Sequence, residues 1–403
     1  MKNRYNILLI ILSLLPPLIS EGMLQILGMS GTALCVLQIL DCAWIAAMYF
    51  LCRQKPSLPM VILTVIYGTV FGSALFHGVI RSAVGNFTGG LALCLVFDFW
   101  LKRDYQRFMK VTQILLILLV LSNLVTVLLF PEGMYKTAIY SNNWLLGHKN
   151  GHFAYAMNAL LFAVIQSYRK KGQIGILDLV LMALCCVSLY LTDALMGLFM
   201  TLAFSFMAVV LINRVHKRNV RFLLRLIDMR TMIAVTMVIF AVTILMNHIP
   251  VLLSVVTNVS NLLGRKTPFN GRLPIWNAAL ELIGQSPLVG YGLVPAERFV
   301  EMSGLQGGTH AHSYILNLLI MGGVVCLLEH VLLYALTIHR LNRNHHFGSY
   351  AVGAVIGLYF FAGITNVNFY SELFNPLFVL AWYVADNCIP GTNGTVKRIY
   401  KWQ

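Results

Sequence analysis

Charge is what this 403-residue chain has least of: only 11% of its residues are Asp, Glu, Lys or Arg, and only 14 of them are acidic. A soluble domain carries about a quarter charged residues, so a soluble fold is excluded at the outset. There is no P-loop, which removes nucleotide hydrolysis through a Walker site. There is no Asp-x-Asp pair, so a metal-bound sugar-nucleotide mechanism has no ligands to rest on. Cysteine is used without CxxC or zinc spacing. None of Cys35, Cys42, Cys52, Cys94, Cys185, Cys186, Cys326 and Cys388 falls in a loop assigned below to the outer side, so no disulfides are expected. Solenoid-scale repeats and low-complexity linkers are missing as well. Gly28-Met29-Ser30-Gly31 matches a GxSG serine-protease pattern, but so short a match reads as a turn between two spans. The start (Met1, Lys2, Arg4, then an apolar run) has the look of a signal peptide without a cleavage site. Pro16-Pro17 followed by Glu21 suits a first spanning helix better.

Long apolar runs are what the chain has in abundance. It is 59% hydrophobic, with a mean hydropathy of +0.78. Runs of about 20 residues recur, each able to cross a hydrocarbon core of ~30 Å. Only helices or closed barrels satisfy their backbone in lipid. The expectation is an all-α integral membrane protein, a single polytopic domain over residues 1–403 with about twelve transmembrane helices. These fall at 6–28, 33–52, 59–79, 85–101, 111–130, 153–168, 174–192, 194–213, 231–248, 313–337, 349–367 and 370–386. Lys and Arg stay in cytoplasmic loops. With both termini inside, only Arg81, Lys136, Lys149, Arg265, Lys266, Arg272 and Arg298 of the 29 basic residues lie outside. The net charge of +15 is then mostly topology. The basic stretch from Arg214 to Arg230 reads as an inner helix against anionic lipid rather than a nucleic-acid patch.

Two outer loops stand out. The first, 131–152, ends in Gly147-His148-Lys149-Asn150-Gly151-His152. The second, 249–312, is the longest extramembrane segment, and loops of that length are usually functional or disordered. Its Trp276, Tyr291 and Phe299 speak against disorder. Leu273, Trp276, Leu280 and Ile283 recur at helical spacing, with Asn270 as a cap and Gly284 as an end. A second helical piece is expected at 295–302. Both would lie on the membrane–water interface and roof a cavity between spans.

Arg272 falls in the first turn of that amphipathic helix, just after Gly271. A helix N-terminus and a forked guanidinium together match phosphate oxygens, although a lone arginine can equally snorkel to headgroups. His310 and His312 close the loop. A histidine there can take a proton from a sugar hydroxyl; interfacial histidines without a role, or an x-His-x-His metal site lacking a third ligand, are the other readings. Glu281, Glu297 and Glu301 are further bases or sugar hydrogen-bonders, with Glu281 on a solvated face. Lys149, flanked by His148 and His152, can supply a second positive group. Asp41, Asp98, Asp178, Glu329 and Glu372 lie in or near spans, where ionisable groups are costly. Asp98 and Asp178 read as boundary residues, while Asp41 and Glu329 would fit a transporter.

The order Gly271-Arg272…Trp276…Pro287-Leu288-Val289-Gly290-Tyr291-Gly292…His310-Ala311-His312-Ser313…Gly322-Gly323 resembles the O-antigen ligase / O-antigen polymerase superfamily. The specific motifs cover 271–323, and Gly147–Asn150 extends the likeness more loosely. The resemblance implies a metal-independent, cofactor-free, inverting glycosyltransferase of GT-C-like architecture in the bacterial cytoplasmic membrane. It implies that Arg272 binds the donor diphosphate and that His312 acts near the acceptor hydroxyl. Lys149, His310, Arg265, Glu297, Glu301 and Trp276 complete the expected substrate-binding set. The implied partners are an undecaprenyl-diphosphate-linked oligosaccharide, the lipid bilayer, and a flippase and chain-length regulator of the same pathway. Ligases of this kind often carry another arginine after a Thr near the start of a mid-chain span. Here Leu191-Thr192-Asp193-Ala194-Leu195-Met196-Gly197 has none, leaving Lys149 or Arg265 for that duty. The family's small residue after the Gly-Gly pair is replaced by Val325-Cys326. The Gly-x-Lys-Asn segment points toward polymerases of capsular or exopolysaccharide clusters. A ligase with another acceptor is the nearest alternative, and a flippase or transporter of lipid-linked sugars is the alternative of a different class.

Overall fold

The computed structural model describes residues 2–137, 140–214, 228–245, 249, 251, 254, 257–258, 272–305, 310–343, 346–364 and 372–387. These residues form helices and one short hairpin. In chain order they are α1 (Lys2–Leu18), α2 (Glu21–Leu27), α3 (Gly31–Leu51), α4 (Leu58–Phe76), α5 (Ile80–Leu129), β1 (Asn143–Trp144) and β2 (Gly147–His148). Then follow α6 (Lys149–Lys171), α7 (Ile176–Leu191), α8 (Leu195–Arg214), α9 (Met229–Leu245), α10 (Leu273–Gln285), α11 (Ala296–Ser303), α12 (Tyr314–Arg343), α13 (Phe347–Ala362) and α14 (Pro376–Asn387). By length and composition α3, α4, α5 and α12 can each cross a membrane, and α1 with α2 makes a fifth candidate if the bent pair is one span. The protein is a multi-pass, all-α membrane protein.

Three sequence expectations need correction. The first span is not one helix from 6 to 28. Pro16 and Pro17 deny the backbone two donors near the end of α1, and α2 leaves at an angle of 100°. Ser20 caps α2, accepting from Met23 N at 3.3 Å. Its hydroxyl also donates to Leu145 O, and Gly22 presses against the carbonyls of Trp144 and Leu145. The second correction concerns 85–101 and 111–130, which join in one helical run with a single non-helical residue, Asp104 (φ −150°, ψ 67°). The chain doubles back there. Phe97 and Phe108 would lie about 16 Å apart along a straight helix, yet their ring centroids are 5.0 Å apart. The third concerns the last span, whose described helix begins at Pro376 and has only 12 residues, after a turn at Glu372–Asn375.

The first half of α5 is the axis of the bundle. It meets α1, α3, α4 and α14 through Trp100, Asp98 and Gly90, and both halves meet α6, through Phe97 against Phe162 and Asn123 against His152. At one end of this axis sits Asp98, fully buried. It accepts from Tyr49 OH at 2.6 Å, Ser57 N at 3.0 Å and Tyr383 OH at 3.0 Å. One carboxylate thereby ties α3, the α3–α4 turn, α5 and α14 together. That is more than the boundary role expected of it. Midway along the axis, Gly89 and Gly90 let the Glu372 carboxylate, the Gln38 amide and the Tyr67 hydroxyl approach the α5 backbone, where any Cβ would collide with them.

Candidate functional site

Arg272 is the N-cap of α10, one residue before its first turn. Residues 270 and 271 lie outside the described residues, so the expected Asn270 cap and the Gly271 approach do too. The helix ends at Gln285, one residue past the expected stop. Of the predicted stripe Trp276 is buried and Leu273 and Ile283 are half-buried, but Leu280 is exposed, because the face turned to the bundle is centred on Trp276, Ala279 and Leu282. Trp276, Ala279 and Leu282 pack with Phe299 of α11 and with Ala311, Leu316 and Ile320 at the start of α12. Trp276 is therefore a core anchor. Burying a Trp side chain is worth about 3 kcal/mol or more, and here it fixes the arginine-bearing helix against the start of α12 and the segment just before it.

The Pro-Leu-Val-Gly-Tyr-Gly turn and the Gly-Gly pair prove to be two halves of one joint. Helix α12 breaks at Gly323 (φ 62°, ψ −159°), a conformation that essentially only glycine adopts. The turn after α10 lies against that break. Tyr291 N donates to Ile320 O at 2.7 Å and Gly292 N to Met321 O at 2.8 Å. In return Val324 N donates to Pro287 O at 2.8 Å and Val325 N to Leu288 O at 3.3 Å. Backbone groups freed by the broken helix are satisfied by the turn, as burial requires. A Cβ at Gly290 would run into Ile320 O, and one at Gly323 into Leu288 O. The joint holds α10 at a fixed place beside the segment that precedes α12.

That segment carries His310 and His312. Their ring centroids are 3.9 Å apart, and His312 N donates to His310 Nδ1 at 3.1 Å. His312 has φ +49°, a left-handed conformation that costs a non-glycine residue on the order of 1 kcal/mol or more. It persists because its surroundings are pinned. Ala311 N donates to Asn317 Oδ1 at 3.2 Å, and Tyr314 N to Gly363 O at 2.7 Å. Asn317 is a positioning residue that sequence reasoning missed. Its signal was faint, a lone amide five residues after His312 in an apolar run.

Both imidazoles are pushed toward the neutral form. Burial lowers His310 to about 4, and Arg272 adds to the effect. Burial lowers His312 to about 3, helped by His310 and Arg272. Arg272 thus lies close enough to both for its charge to be felt. The constellation is one guanidinium at a positive helix end beside two imidazoles that are free bases at neutral pH. Chemically it can hold an anion and accept a proton within one site. Among the described residues no group of three His, Cys, Asp or Glu is arranged to hold a metal.

The other expected residues are distributed differently. Glu297 and Glu301 are exposed on α11, whose Phe299 faces the apolar cluster. Arg265 lies outside the described residues. Lys149 begins α6 and pairs with Asp193 Oδ2 at 2.8 Å. Asp193 is itself left-handed (φ 53°) and belongs to the 191–197 stretch in which the additional arginine was looked for. His152 is buried, bonded to Asn123 Nδ2 at 3.3 Å and Gly147 O at 3.0 Å, and has no access to a ligand. Of the carboxylates weighed for transport, Asp41 is buried in α3, and Glu329 accepts from Thr69 at 2.7 Å.

Residues 159–331, from the middle of α6 through the break in α12, match a family model described as O-antigen ligase. A search of curated proteins finds no match.

Proposed function

We propose, from the match of residues 159–331 to the O-antigen ligase family model, that the chain is a polysaccharide polymerase of the O-antigen ligase/polymerase superfamily. In this reading it transfers a growing saccharide from an undecaprenyl diphosphate to a hydroxyl of a new lipid-linked repeat unit. The Arg272 end of the bundle faces outward, the chain makes twelve passes with both termini inside, and residues 249–312 form the outer loop over a GT-C-like membrane domain. The observation that carries the proposal is the packed His310–His312 pair on a segment held beside α10 by the turn-and-helix joint, with Arg272 near enough to help lower both imidazoles.

The chemistry follows from those groups. Arg272 and the positive end of α10 grip the diphosphate. An imidazole nitrogen of His312 takes the proton of the acceptor hydroxyl as its oxygen attacks the anomeric carbon. The bond from that carbon to the diphosphate oxygen breaks on the opposite face, and the electron pair leaves on the diphosphate. The configuration inverts. In this mechanism the guanidinium supplies the charge stabilisation that other transferases draw from a metal. An imidazole lowered to about 3 is a weak base. A bound diphosphate offsets the positive charge of Arg272, the smallest of the three causes, and so raises the imidazole part of the way when donor is present. Lys149, held at Asp193, is the cation offered for the missing arginine's duty. Polymerase is preferred to ligase on the Gly147–Asn150 segment alone, and the same site chemistry serves both acceptors.

The test is Arg272→Ala and His312→Ala in cells that make the polysaccharide. Each is expected to cut polymer at least a hundredfold, while the protein inserts normally and single repeat units accumulate on lipid outside. Normal long chains from both variants would overturn the reading. Repeat units trapped inside would indicate a flippase.

A further inference from the structure

A second constellation sits at the same end of the bundle and is used by none of the chemistry above. The break after α1 brings Glu21 against the 131–152 loop. Its Oε2 lies 3.7 Å from where a Cβ on Gly147 would stand, an ordinary contact. Tyr140 stacks flat on His148, with ring centroids 3.7 Å apart and planes inclined by 14°. The hydroxyl of Tyr135 is buried without a hydrogen-bond partner. Glu21 is the charged neighbour of both tyrosines and is itself exposed.

The scaffold under these groups is stiff. Asn143 Nδ2 donates to Tyr135 O at 3.3 Å and to Tyr140 O at 3.1 Å. Trp144 Nε1 donates to Phe130 O at 2.8 Å, and Leu146 N to Asn123 Oδ1 at 2.9 Å. The two-residue strands pair across Asn143 and His148. So many bonds in one short loop hold the side chains ready for a ligand at little entropic cost.

Resting on the polymerase reading, we infer that Glu21, Tyr135, Tyr140 and His148 form a binding platform for an uncharged saccharide of the acceptor chain, separate from the diphosphate grip at Arg272. The chemistry fits a sugar better than a phosphate. A flat aromatic pair offers a face to sugar C–H groups, and a carboxylate accepts from neighbouring hydroxyls. The buried Tyr135 hydroxyl supplies a further donor. An anion would be repelled by Glu21, and His148, lowered to about 4 by burial and by Lys149, stays neutral and does not attract one. The platform keeps the acceptor chain in register, so its loss lowers processivity before it lowers chemistry.

The experiment uses full-length protein in nanodiscs. The probe is a lipid-free oligosaccharide cut from the host's own surface polysaccharide, with binding followed by saturation-transfer NMR. Glu21→Gln and Tyr140→Ala are each expected to weaken binding at least tenfold and to shorten the polymer made in cells. Tyr140→Phe keeps the stack and is expected to bind normally. Arg272→Ala is expected to bind the oligosaccharide as the wild type does. Unchanged binding in both Glu21→Gln and Tyr140→Ala, with insertion and thermal midpoint intact, would overturn the platform. Polymer made normally by Arg272→Ala would instead overturn the enzymatic reading and leave the binding series to decide the platform.

Discussion

Asp98 at one end of the bundle and the Arg272–His310–His312 group at the other are both polar, both sheltered, and built on opposite principles. Asp98 is surrounded by donors that satisfy it, drawn from three other parts of the chain. At the other end, basic groups are gathered so that they disfavour each other's charge, and His312 is held in a strained backbone conformation. Saturated polarity stabilises a fold. Opposed polarity costs stability and leaves a demand that an anion can meet. Burial alone would not have separated the two.

The largest effect that sharpens this contrast is on stability. Asp98→Ala removes the acceptor of three bonds, from the Tyr49 and Tyr383 hydroxyls and from Ser57 N. It is expected to cost about 3 kcal/mol or more, read as a lower thermal midpoint in detergent. Activity per folded molecule should hardly change. Arg272→Ala should do the reverse, removing activity while leaving the midpoint unmoved or slightly higher. Equal stability losses at the two ends would break the comparison.

The next effect lies between the two extremes. Gly290→Ala puts a Cβ against Ile320 O at a residue with φ 60°. The expected cost is about 1–3 kcal/mol, together with a loss of transfer rate on the order of tenfold as α10 shifts relative to His312. A variant that loses stability without losing rate would show that the joint between turn and helix does not position the site.

Much of this was legible in the sequence, for reasons that can be named. Apolar runs of bilayer length gave α3, α4 and the start of α12 within a few residues, because hydrophobic length is a direct property of composition, whereas α12 runs on past the expected end to Arg343. The amphipathic spacing of Leu273, Trp276 and Ile283 gave α10, and the stretch from Pro295 gave α11. The doubling-back at Asp104 was legible as two spans but not as a near-continuous helical run. The bend after Pro16-Pro17 was signalled by the prolines and still read through. Asp98 was misjudged because its partners, Tyr49, Ser57 and Tyr383, are brought to it only by tertiary packing. The same holds for the joint. Gly290 and Gly323 were both picked out, yet nothing in their spacing says that one turn fills the break made by the other. Lys149 was expected beside the diphosphate, and its partner Asp193 could not be read from a separation of 44 residues.

The smallest effect is the most diagnostic, because it isolates the electrostatics of the site from its architecture. His312 must be unprotonated to accept a proton. Its ordinary value of 6.5 is lowered to about 3, first by burial, then by His310 and Arg272. The free enzyme therefore keeps a neutral imidazole well below pH 6, and the acid limb of kcat/KM should fall far under 6.5. Folding carries the same sign. The unfolded chain binds more protons than the folded one between the lowered values and 6.5, so stability is full above pH 6.5 and declines as pH falls through that window. Arg272→Lys keeps the positive charge but loses the fork, so it should leave the acid limb in place while weakening donor binding. Arg272→Gln removes the charge and should move the limb back up, by less than a full return because burial is the larger cause. A limb at 6.5 in the wild type, or one that Arg272→Gln leaves unmoved, would mean that guanidinium and imidazole do not share a site, and the opposition between the two ends of the bundle would lose its chemical meaning.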